Sequence, residues 1–124
     1  MSRFCIAATV LSTLIISPAA AHALAAQTID VRSFAFRPTP IRLPAGKPVT
    51  LRFVNESGSS HDFTAKQFFA YSKFTDGAAP QGEIELRPHE TKMVTLIPRA
   101  GSYSAHCSHF MHSALGMHVQ IFVS

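Results

Sequence analysis

Apolar and polar residues alternate with a period of two over most of the chain, the pattern of strands buried on one face. Thr28–Phe36 sets Ile29, Val31 and the Phe34/Phe36 pair against polar positions, and Pro48–Asn55 does the same with Val49, Leu51 and Phe53. Further strands are predicted from His61, over Glu83–Leu86, Lys92–Ile97, Gly101–Cys107 and His118–Val123. Pro38, Pro40 and Pro44 lack an amide donor, so the segment between them is expected to run extended but away from central ladders. Turns are predicted at Ala45-Gly46-Lys47, Arg87-Pro88-His89 and Pro98-Arg99-Ala100-Gly101. Lys66–Phe74, with Phe68, Phe69, Tyr71 and Phe74, reads as a short helix or an irregular flap. Seven or eight short strands with turns every eight to twelve residues or so point to an all-β sandwich or barrel.

Residues 1–25 break this pattern. Arg3 gives a short positive start, Phe4–Ile16 is nearly uncharged and apolar, Pro18 interrupts the run, and Ala23-Leu24-Ala25 has the small-x-small form of a signal-peptidase site. A retained membrane anchor would need about 18–20 apolar residues; Pro18 and His22 cut this run short. The expectation is a cleaved leader, export to the periplasm, and a single domain over residues 26–124 with no stable membrane insertion. A chain of 124 residues is too short for a multidomain enzyme. Its net charge of +4 comes from basic residues scattered singly, with no block that could track a phosphate backbone, so nucleic acid is not an expected partner. A monomer is expected.

Removal of the leader takes Cys5 with it and leaves Cys107 as the only cysteine. Exported small domains spend cysteines in pairs, so a lone one is a buried thiol, an intermolecular bridge or a metal ligand. Its surroundings favour the last: Cys107, His112 and Met117 lie on one loop between two predicted strands. A soft thiolate, an imidazole and a thioether need only one more imidazole to make a His₂Cys set with a weak axial Met, which selects a copper ion cycling between two oxidation states. His61, at the start of an extended segment after the polar loop Glu56–Ser60, is the candidate.

Over nearly the whole mature chain the sequence resembles the cupredoxins, the blue copper proteins. The resemblance rests on Phe36-x-Pro38 leading to Ile41 and Ala45-Gly46, on Asn55 followed by His61-Asp62-Phe63, on Gly101-x-Tyr103, and on Cys107, His112 and Met117 with four residues between successive ligands. It implies a Greek-key β-sandwich holding one type 1 copper, with His61, Cys107 and His112 in plane and Met117 axial. It also implies that Asp62, where the family often has Asn, and the backbone near Asn55 help to fix Cys107. The expected function is periplasmic one-electron transfer without catalysis. A transient redox protein would dock on the apolar collar of Phe110, Met111, Ala114 and Leu115 around His112. The alternative is copper handling: binding or buffering periplasmic copper for resistance, with no obligatory redox partner.

His89, His106, His109 and His118 exceed what such a carrier needs. Neighbouring side chains of a strand point to opposite faces, so His106 is expected to point away if Cys107 faces copper. A His next to the Cys ligand also occurs in copper enzymes with a second, catalytic copper. That arrangement wants further histidines, and position 108 is Ser, so no catalytic second copper is expected. His109 and His118 read as solvated hairpin residues, with weak surface copper capture as the functional rival.

Overall fold

The computed structural model describes residues 25–124; the predicted leader, apart from Ala25, lies outside the described residues. Ten strands form two five-stranded sheets. In chain order they are β1 (Ala25–Arg32), β2 (Ala35–Arg37), β3 (Ile41–Leu43), β4 (Val49–Asn55), β5 (His61–Thr64), β6 (Lys73–Asp76), β7 (Glu83–Leu86), β8 (Thr91–Ile97), β9 (Gly101–His106) and β10 (His118–Val123). One sheet has the order β2-β1-β4-β8-β6 and the other β3-β10-β9-β5-β7. The chain crosses repeatedly between sheets, and two of the pairings, β1 with β4 and β10 with β3, are parallel. Among the described residues no helix is long and apolar enough to cross a membrane.

The period-two residues face each other between the sheets. Ile29, Val31, Leu51, Phe53, Val94 and Leu96 from the first meet Phe63, Ile84, Leu86, Ala105, Val119 and Ile121 from the second, all buried. Phe63 packs at 4.9 Å from the Phe53 ring and edge-on at 5.4 Å from Phe36. Aromatic pairs at such separations add to simple area burial, and these tie the start of β5 to the opposite sheet.

The expected sandwich is observed, with two or three more strands than the sequence suggested. The additions are short: β2, β3 and β6 have three or four residues each and lie at sheet edges. β3, flanked by Pro40 and Pro44, pairs on one side only, as a donor-poor segment must. The predicted strand over Thr28–Phe36 is instead two strands separated by a turn at Ser33-Phe34, after which β2 folds back antiparallel on β1. The aromatic segment after β5 resolves into helix α1 (Lys66–Tyr71), which buries Phe68 and Phe69, followed by β6. Gly82 makes this packing possible: its φ of +75° suits glycine, and a Cβ there would lie 2.6 Å from Lys66 Cα at the start of α1.

Candidate metal centre

Three elements converge at one end of the sandwich. β5 begins at His61 directly after the loop Glu56–Ser60, and Asn55 shapes that loop from the end of β4. The Asn55 amide donates to the carbonyls of Ser59 at 2.8 Å and Arg87 at 2.9 Å, while its oxygen accepts the Ser57 N–H at 3.0 Å. Asn55 thus acts on the segment that delivers His61, one step removed from the cysteine. β9 ends at His106 and delivers Cys107, whose amide donates to the Met117 carbonyl at 3.1 Å. The intervening loop closes on itself: the Met117 and Leu115 amides donate to the His112 carbonyl at 3.1 and 3.2 Å.

The result is a triangle of donor atoms. His61 Nδ1 lies 3.1 Å from His112 Nδ1, Cys107 Sγ lies 3.4 Å from His112 Nδ1, and Cys107 Sγ lies 3.9 Å from His61 Nδ1. A first-row ion bound to imidazole nitrogen at about 2.0–2.1 Å and thiolate sulfur at about 2.3 Å, in a trigonal plane, needs edges of about 3.5–3.8 Å. The observed edges bracket that range. Met117 is fully buried beside Cys107 in the ladder, which completes a His-Cys-His-Met group. This donor set fits a type 1 copper site.

The surroundings orient these donors. Ser33 Oγ lies 3.1 Å from His61 Nε2; an Nε2–H donated to Ser33 leaves the Nδ1 lone pair facing the triangle, the usual device for fixing a ligand imidazole. Phe34, next in the chain, stands edge-on 5.1 Å from the His112 ring. Burial lowers the His61 pKa, helped by His112 and His109 nearby, so the imidazole is held neutral and ready to bind. Burial raises the Cys107 thiol, though the Asp62 amide approaches its sulfur at 3.5 Å. A thiolate in that position requires a cation.

Asp62 clasps the ligand loop. Its buried carboxylate accepts the Ser108 N–H at 2.9 Å and the Thr64 hydroxyl at 2.8 Å, and also the Ser108 hydroxyl. The residue after Cys107 is therefore locked to the residue after His61. His109 closes the clasp from outside. Its Nε2 lies 3.0 Å from Glu85 Oε1 and 3.6 Å from Asp62 Oδ2, and its ring stacks on His112 at 5.5 Å. His109, expected as a solvated hairpin residue, is instead a strut behind His112. Burial and the neighbouring carboxylates of Asp62 and Glu85 raise the pKa of Glu83 on the same face.

All four sequence-predicted ligands meet at this end of the fold, while His89, His106 and His118 are exposed and outside the triangle. Sequence reasoning missed Ser33 and Phe34, read as part of a strand, and the clasp of Ser108 and His109. The Ser33-Phe34 polar-apolar step carried no turn signal.

The Cupredoxin-like domain family matches residues 5–121. The chain belongs to this family. Among solved structures, this cupredoxin is similar to auracyanin B, with 23% identity over 80% of this chain and 88% of the other and a TM-score of 0.59. It is also similar to dithionite-reduced auracyanin from the photosynthetic bacterium Roseiflexus castenholzii, with 18% identity, 82% and 98% coverage and a TM-score of 0.62. No curated protein matches the chain in sequence.

Proposed function

We propose that this cupredoxin is exported to the periplasm and carries single electrons on one copper ion, which His61, Cys107 and His112 would hold with Met117 as a weaker fourth donor. The observation that carries this reading is the convergence of two Nδ1 atoms and one Sγ at 3.1–3.9 Å. Copper bound there supplies a one-electron couple. The residues around it supply rigidity: Asp62 ties β5 to the ligand loop, Ser33 fixes the His61 ring, and the stack of His109 holds His112. A site that need not rearrange between oxidation states exchanges electrons with little reorganisation, and the dithionite-reduced auracyanin of the same fold accords with such a cycle.

His112 is the ligand nearest solvent, half-buried among exposed apolar side chains. Phe110 is 91% exposed, and Met111, Leu115 and Phe34 are also uncovered. A small apolar patch beside an electron-carrying ligand suits brief docking of a redox protein. Copper handling without a redox partner is the rival reading, favoured by the exposed histidines His106 and His118. Voltammetry of the copper-loaded protein, with stopped-flow exchange against a redox protein, separates the two. Fast, reversible one-electron exchange, slowed by Phe110→Glu without a change in visible spectrum, is expected of the carrier. Slow exchange that is indifferent to Phe110→Glu contradicts it.

A further inference from the structure

β9 and β10 carry metal-binding side chains on both of their faces. Cys107 and Met117 point inward and are buried; the residues just before Cys107 and just after Met117 are His106 and His118, both exposed. These two histidines are direct cross-strand partners in the antiparallel ladder. The hydrogen bonding fixes what kind of pair they form. The Cys107 amide donates straight across to Met117, and the His118 amide donates to Gly116 within its own strand end. Hydrogen-bonded and non-hydrogen-bonded pairs alternate along such a ladder, so His106 and His118 occupy a non-hydrogen-bonded pair. There the side chains come closest, with Cα atoms about 4.5 Å apart.

We propose that His106 and His118 form a second, solvent-facing metal site that takes a divalent copper ion in exchange with solution. Two imidazoles side by side on a ladder make a bidentate chelate, and water can fill the remaining positions. Imidazole suits copper, nickel and zinc, and among divalent first-row ions copper(II) binds such donors most strongly. No positive side chain stands at the outward positions flanking the pair, Ser104, Ser108 and Gln120, or in the row through Thr64 to Glu83; Arg42, on the same face, lies opposite Phe122 toward the far end of β10 and over its ring. The rings of His61, His109 and His112 are engaged with one another or with Ser33 and Glu85, whereas His106 and His118 lie open. The outer ion would sit directly behind the inner site, one residue from Cys107 along one strand and one from Met117 along the other.

The test is a copper(II) titration of the protein already loaded with its first copper, followed by equilibrium dialysis and paramagnetic resonance, with the visible band as monitor of the inner site. The wild type is expected to take up a second copper(II) per chain at micromolar free metal, with a tetragonal signal distinct from the first. His106→Ala and His118→Ala should each weaken that uptake at least tenfold and leave the visible band in place, and His109→Ala should leave the second ion bound. No second uptake by the wild type overturns the proposal. So does a second ion that survives the double variant His106→Ala/His118→Ala, or one lost only in His109→Ala, which would move it to Asp62, Glu85 and His109. Absence of the visible band would count against the carrier reading instead, and the ion count would still decide this one.

Discussion

Asp62→Asn separates the two jobs of the Asp62 carboxylate, holding the loop and placing a negative charge beside the metal. The shape of the side chain is kept. The amide oxygen can still accept the Ser108 N–H and the Thr64 hydroxyl, and the new NH₂ group can donate to the Ser108 oxygen, whose hydroxyl is free to turn. Weakening charge-assisted hydrogen bonds to neutral ones costs about 1 kcal/mol of stability. The electrostatic effect is larger. For unit charges about 7 Å apart in an effective dielectric of about 20, the interaction is about 2 kcal/mol. Oxidised copper carries one more positive charge than reduced copper, so the carboxylate favours the oxidised state by up to that amount. Removing it should raise the reduction potential by tens of millivolts and at most about 100 mV, taking about 59 mV per tenfold change for one electron. Protein-film voltammetry of both forms reads the shift, and urea unfolding reads the stability. Asp62→Ala, which strands the buried Thr64 hydroxyl and the Ser108 amide, should cost about 3 kcal/mol. An unchanged or lowered potential in Asp62→Asn, with the visible band intact, would refute the assignment of a charge acting on the metal.

Three more outcomes follow from the same geometry. Met117→Leu should keep copper and colour while raising the potential, because an axial thioether binds weakly; loss of copper on dialysis would contradict this. The metal-free protein should be most stable between about pH 6.5 and 9.0, the ordinary values of its two buried ligands. Below that window the unfolded chain protonates His61 while the buried ring resists, and above it the unfolded chain ionises Cys107 while the buried thiol resists, so urea midpoints should fall on both sides. A midpoint that rises as pH drops below 6.5 would show the His61 argument to be wrong. Gly82→Ala forces a methyl group to within 2.6 Å of Lys66 Cα at a φ of +75° and should cost about 2 kcal/mol or more in thermal or urea unfolding; an unchanged midpoint would mean that the turn relaxes freely.

The strands that run through the core were legible because burial on one face imposes a period of two. Glu83–Leu86 and His118–Val123 are observed with the predicted bounds. Three of the four edge strands, β2, β3 and β6, were not, since three residues such as Ile41–Leu43 are too few to show a period. Cys107, His112 and Met117 were legible because one loop carries all three. His61 depended on its surrounding motif, as its approach to Cys107 spans 46 residues of chain. Long-range register hid the remainder. Nothing local distinguishes Ser33 from any strand serine, and only the folded ladder brings His118 opposite His106 or sets His109 between Asp62 and Glu85.

The central claim is that one copper ion sits among His61, Cys107, His112 and Met117. Copper analysis and visible absorption of the dialysed protein, wild type beside Cys107→Ala, test it most directly. The wild type should retain one tightly held copper per chain with an intense visible band from the thiolate, and Cys107→Ala should lose both the band and the tight binding. A wild type that emerges colourless and metal-free, or a Cys107→Ala variant with an unchanged band, would contradict it.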